Sequence, residues 1–138
     1  MKLITRDTDY AVRALCFIAK QKEDIVSVAE LVEKLRIPRS FLRKILQILN
    51  KKRILKSHRG QGGGFVLAIS PGKIFLVNLI KIFQGSLKIN ECIFKNRICP
   101  NLKKCILKKK IDTIEKYVIS ELKSITIASL LKKVGENS

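Results

Sequence analysis

Tryptophan is absent from this 138-residue chain, which has only two tyrosines and six phenylalanines. Sequence-specific binding of single-stranded RNA relies on exposed aromatic platforms for base stacking, so this scarcity weighs against that class. Acidic residues are also few. There are 11 against 29 lysines and arginines, for a formal charge of +18, and none occurs from Lys34 to Asn90. A surface this one-sided suits a polyanion, either nucleic acid or an anionic membrane face. No stretch approaches the roughly 18 consecutive apolar residues of a membrane span. The opening "MKLITRDTDY" also lacks the apolar run of a secretory signal. The expected location is therefore the cytoplasm, with no membrane partner. There, four cysteines are not expected to form structural disulfides, which leaves metal binding or thiol redox chemistry. Internal repeats and low-complexity stretches are missing.

What is present reads as short helices. Thr8 or Asp9 can cap a helix through about Lys20, with Tyr10, Ala14, Phe17 and Ile18 on one face. Ser27 and Glu30 in "SVAE" form a capping box for a short second helix ending near Leu35, and Ile37-Pro38 then breaks the chain. A third helix is expected from about Ser40 to Lys52, with Phe41, Ile45, Ile48 and Leu49 inward and Arg43, Lys44, Gln47 and Lys51 outward. This is the order of a helix-turn-helix. After Pro71 a helix from about Leu76 to Gln84 is closed by Gly85. The longest helix runs from about Leu107 to Ser124 with an apolar seam of Ile111, Ile114, Val118, Leu122 and Ile125, which calls for a partner. Thr126 can cap a last short helix.

Between the third helix and Pro71 lies "HRGQGGGF", residues 58–65. Neither G-x-x-x-x-G-K-S/T nor G-x-G-x-x-G is met, and a β-branched apolar run follows the glycines instead of a helix. With "RILKS" before it, the stretch reads as a hairpin with Arg59 at its tip, placed where the wing of a winged helix belongs. Arg39, Ser40 and Arg43 are then candidates for base edges and phosphates at the start of the reading helix. Lys44 and Lys56 are candidates for the backbone, and Arg59 for the minor groove. His58 is expected to be a hairpin residue and not a ligand.

"CIFKNRICPNLKKC" sets Cys92, Cys99 and Cys105 in one segment, read as a loop because Pro100 and Asn101 interrupt it. The close C-x2-C pairs of small zinc sites are missing. Three thiolates on such a loop can span an iron-sulfur cluster, and Lys95, Arg97, Lys103 and Lys104 ease its negative charge. The fourth ligand stays open among Asp9, Asp7, Glu91, His58 and Cys16. Cys16 fits better as a buried core thiol. Three reduced thiols, or a thiol-disulfide switch, are the metal-free alternatives.

Taken together, "TDYAVRAL", "SFLRKILQILNKKRIL", "HRGQGGGF" and the C-x6-C-x5-C segment followed by "SITIASLL" resemble the Rrf2 family of winged-helix regulators, over nearly the whole chain. The resemblance implies a homodimer joined by the long C-terminal helix, and a wing arginine at Arg59. It also implies a cluster on Cys92, Cys99 and Cys105 that controls operator binding. IscR-like members use a histidine shortly after the third cysteine, where this chain has Lys108. NsrR-like members use an aspartate of the N-terminal "TD" motif from the other subunit, which Asp9 matches, favouring a 4Fe-4S cluster over a 2Fe-2S one. Arg43 stands where IscR-like members carry an acidic residue used in base discrimination, so a different operator is expected.

The expected architecture is mainly α: a winged helix-turn-helix with a small β-hairpin wing and a long C-terminal dimerisation helix. Residues 1–70 would bind double-stranded DNA and 71–138 would carry the cysteines and the dimer helix, as one continuous domain. The expected function is a DNA-binding transcriptional regulator, a repressor and not an enzyme. A cluster-free thiol regulator and an iron-sulfur electron carrier are the rivals.

Overall fold

Thr5, not Thr8 or Asp9, starts the first helix, α1 (Arg6–Lys20), with its hydroxyl accepting from the Thr8 N–H. The expected caps are displaced because Thr8 is fully buried and its hydroxyl donates to Gln84 Oε1 at 2.7 Å. Asp9 is already inside the helix, its N–H donating to the Thr5 carbonyl at 3.0 Å. The computed structural model from which this geometry is taken describes residues 3–21, 24–86 and 105–136, with side chains to residue 131. The expectation of a loop across the cysteine segment lies outside the described residues.

The second helix, α2 (Val28–Leu35), is capped by Ser27 as the capping box requires, with Ser27 Oγ accepting from the Glu30 N–H at 3.1 Å. It ends on Arg36 in the left-handed region, at φ 56°. Ile37, only 2% exposed, pins the turn into the core. Pro38 then leads into α3 (Arg39–Lys51). Phe41 and Ile48 correct the expected inward face, because the buried residues are Leu42, Ile45, Leu46 and Leu49. Apolar residues at 41, 42, 45, 46, 48 and 49 spread over an arc of about 160° at 100° per residue, wider than the face that packs, so periodicity alone does not choose which edge is buried. Packing against α1, α2 and the wing chooses it. Each fully buried leucine there contributes about 2 kcal/mol.

The wing is an antiparallel pair, β1 (Leu55–His58) and β2 (Gly64–Leu67), in register from Leu55 opposite Leu67 to His58 opposite Gly64. Gly60, at φ 95°, turns the chain directly behind Arg59, which a residue with a Cβ does poorly. Gly64 meets a different demand. Val26, just before α2, bridges to Phe65 through hydrogen bonds of 2.8 and 3.0 Å, and a Cβ on Gly64 would overlap the Val26 carbonyl.

A 3-10 turn at Pro71–Lys73 leads to α4 (Leu76–Gln84), closed by Gly85. The long helix α5 (Ile106–Lys123) packs on α4, and α6 (Ile127–Glu136) folds back onto α1. Thr126 and Ser129 cap the start of α6 reciprocally, each side-chain oxygen accepting the other's backbone N–H, at 2.9 and 3.1 Å. Hydrogen bonds from Ile127 to Ile74 and from Leu76 to Ile125 stitch this end to the start of α4. One core results, running from Leu15 and Ile18 through Leu31, Leu46 and Leu55 to Leu79 and Ile127. The expected α5 seam is buried only at Leu122, and Ile114 and Tyr117 remain 50% and 67% exposed.

Candidate nucleic-acid interface and cysteine segment

With Leu42, Ile45, Leu46 and Leu49 locked inward, α3 turns its polar face out. Arg39, Ser40, Arg43 and Lys44 are all exposed along its first two turns. Lys56 on β1 and Arg59 at the hairpin tip are exposed as well. None of the six lies in the core, so each is available to a partner. His58 is the last residue of β1.

Sequence reading missed two participants. A cleft of about 330 Å³ between α3 and the wing is lined by Gln47 and Asn50 on one side and by Ser57, His58 and Arg59 on the other. Arg43, Gln47 and Asn50 fall at i, i+4 and i+7, one stripe of the helix. That spacing was readable, but only the wing's position shows that the stripe faces it. Amide side chains are suited to bidentate contacts with adenine edges. A second departure is at Phe41. Instead of packing inward, its ring lies 36% exposed, with the Arg6 guanidinium 4.2 Å from its centroid.

Of the cysteine trio, Cys92 and Cys99 lie outside the described residues. Cys105 is the N-cap of α5, its Sγ accepting the Lys108 N–H at 3.4 Å. Among the described residues no three His, Cys, Asp or Glu side chains converge on a metal position. Asp9 sits in the first turn of α1, its carboxylate 3.0 Å from Arg13 and 43% exposed. Asp7 lies 4.0 Å from Arg6. Cys16 is half-buried against the core. Burial pushes its thiol above the ordinary 9.0, and Lys20 offsets this only in part. A thiol held neutral is a poor iron ligand, which fits the core role expected for it.

A sequence profile of the Rrf2 family, described as iron-dependent transcriptional regulators, matches residues 4–133. The HTH-type transcriptional regulator NsrR of Oceanobacillus iheyensis is 29% identical over 131 residues, covering 94% of this chain and 89% of that protein. The solved structure of T. potens IscR matches with a TM-score of 0.71 and 28% identity, over 100% of this chain and 91% of its own. CymR, the global cysteine regulator of B. subtilis, shares the fold at a TM-score of 0.75 and 21% identity, over 96% of this chain and 98% of its own. Among the described residues no helix is long and apolar enough to cross a membrane.

Proposed function

We propose, from the premise that this chain belongs to the Rrf2 family of DNA-binding transcriptional regulators, that it is a homodimeric repressor whose hold on its operator is set by an iron-sulfur cluster. It is a regulator and not an enzyme, as its family and relatives are. The observation that carries the reading is the pairing of a polar-faced reading helix with a glycine-turned wing. Arg39, Ser40, Arg43 and Lys44 are exposed on one and Arg59 on the other, in a segment without a single acid. Base edges would be met by Ser40 and Arg43 with Gln47, phosphates by Arg39, Lys44 and Lys56, and the minor groove by Arg59.

Cys92, Cys99 and Cys105 would hold the cluster, with Asp9 contributed by the second copy. The donor set fits. Three thiols suit iron-sulfur chemistry, and the Asp9 carboxylate is accessible, its ion pair among the described residues being a surface one of the kind that exchanges at little cost. A 4Fe-4S cluster is favoured over 2Fe-2S because Lys108 replaces the IscR-type histidine. When bound, such a group supplies thiolate-held iron whose reaction with nitric oxide or oxygen, or loss under iron shortage, is the signal.

The chain's own residues convert that signal into a change of spacing. Asp9 lies three residues after Arg6, which stacks on Phe41 in the first turn of α3. Engaging Asp9 across the dimer would therefore fix the start of α1, and with it the separation of two reading helices. The exposed α5 residues Ile114 and Tyr117 would form the joint between copies. Such a switch requires operator affinity to differ between loaded and metal-free protein. The test is anaerobic purification with iron, sulfide and absorbance measurements, then footprinting of both forms on a duplex selected from a randomised pool. Equal affinity of the two forms refutes cluster control, and a colourless protein with free thiols leaves the metal-free thiol regulator. Asp9→Ala should shorten the cluster's lifetime while leaving the dimer intact.

A further inference from the structure

Arg6 occupies the first position of α1, where the helix dipole is positive and a cation is disfavoured. Phe41 leaves an aromatic ring 36% exposed in the first turn of α3. Neither residue serves the core, which Leu42, Ile45, Leu46 and Leu49 fill. Two locally unfavourable choices meet each other instead, the guanidinium lying 4.2 Å from the ring centroid. Local rules are broken together most often where function requires it. The turn that carries Arg6 is also held firmly. Gln84 Oε1 accepts from the Thr5 N–H at 3.0 Å and the Thr8 hydroxyl at 2.7 Å, and Gln84 Nε2 donates to the Leu3 carbonyl at 3.0 Å.

Geometry around the α3 axis says what this arrangement offers. At about 100° per residue, Ser40, Lys44 and Lys51 point directly away from the buried leucines. Gln47 and Asn50 turn toward one flank, where they line the cleft with His58 and Arg59 of the wing. Phe41 falls on the opposite flank. The ridge that would enter the major groove thus has an arginine on each side, Arg59 at the wing and Arg6 over Phe41. A helix in that groove lies between two phosphate strands.

We propose that Arg6, held flat by Phe41, binds a backbone phosphate on the side of the reading helix away from the wing. A guanidinium stacked on a ring keeps its N–H edge free for bidentate contact with phosphate oxygens, which an ammonium does not reproduce. Arg6 remains 59% exposed beside its ring, and its contact with Asp7 is long, at 4.0 Å. Phe41 is a positioning residue, acting through Arg6.

The inference rests on the duplex-binding reading above, and its test separates the two. Fluorescence anisotropy would follow binding of the full chain to the duplex it selects from a randomised pool, across a salt series. The proteins compared are the unsubstituted chain, Arg59→Ala, Arg6→Ala, Arg6→Lys and Phe41→Leu. Arg6→Ala should flatten the log-log salt slope by about 0.9 per bound copy, an affinity loss of about eightfold per copy at 0.1 M salt. Arg6→Lys should keep most of the slope but not the affinity. Phe41→Leu should weaken binding with little change in melting temperature, which a purely structural role would not produce. If Arg59→Ala flattens the slope and Arg6→Ala does not, the inference is overturned alone. If the unsubstituted chain shows no salt-dependent duplex binding, the functional reading falls and takes the inference with it.

Discussion

Replacing Gln84 by leucine tests what holds the start of α1. Gln84 makes three hydrogen bonds there, to the Thr8 hydroxyl, the Thr5 N–H and the Leu3 carbonyl. Thr8 is fully buried, so without Gln84 its hydroxyl keeps, among the described residues, only the Thr5 hydroxyl, at 3.2 Å, as a side-chain partner. That loss should cost about 1 to 2 kcal/mol, and the two backbone groups, nearer water, about 0.5 kcal/mol each. The sum, about 2 to 3 kcal/mol, corresponds to a fall in melting temperature of roughly 10 °C for a chain of this size. Urea unfolding followed by circular dichroism, at fixed protein concentration, would measure it through a lower midpoint at unchanged m-value. Thr8→Val removes the hydroxyl that Gln84 satisfies, so Gln84→Leu should hurt less in that background, with a coupling of about 1 kcal/mol. A loss under about 0.5 kcal/mol, or strict additivity in the double variant, would refute the reasoning.

Other predictions follow from named positions. Gly64→Ala should cost about 2 kcal/mol or more, because its Cβ meets the Val26 carbonyl. Gly72→Ala, which faces open space, should be neutral, and thermal melts compare the two directly. Because burial raises the Cys16 thiol above its ordinary 9.0, the folded chain retains a proton that the unfolded chain loses. Its stabilising contribution is therefore complete below pH 9.0 and is lost as pH rises through the folded value. The stability difference between the unsubstituted chain and Cys16→Ala should shrink above that pH, and a flat difference would argue against burial of the thiol. Ile114→Glu, at a half-exposed α5 position, should abolish the dimer in sedimentation and remove the dependence of melting on protein concentration. An unchanged sedimentation coefficient would place the joint elsewhere.

Much of the fold was legible because its signals are local. Ser27 and Glu30 marked the start of α2, Pro38 the turn, and Gly85 the end of α4, each through backbone chemistry that needs no distant partner. The wing followed from its glycines, and the outward positions of Arg43 and Lys44 from helical spacing. What escaped depends on partners far away in the chain. Thr8 joins a hydrogen-bond network with Gln84, 76 residues on, and so yields the cap to Thr5. Phe41 and Leu42 are equally apolar, and only packing against other elements decides which is buried. The bridge from Val26 to Phe65, and the stacking of Arg6 on Phe41, join segments that carry no shared pattern. Family membership came from motifs spread over most of the chain, which is why several moderate signals became specific together.

The bridge between Val26 and Phe65 also bears on how chains of this build could diversify. It rivets the turn end of β2 to the segment entering α2, so any lengthening or trimming within β2 would be felt in the helices. The stretch from Gly60 to Gly62 sits beyond that rivet, with open space around both glycines. Reach into a neighbouring groove can therefore be retuned at Arg59 and Gln61, with Gly60 and Gly62 kept for their positive φ, while the interior that aims the hairpin stays as it is.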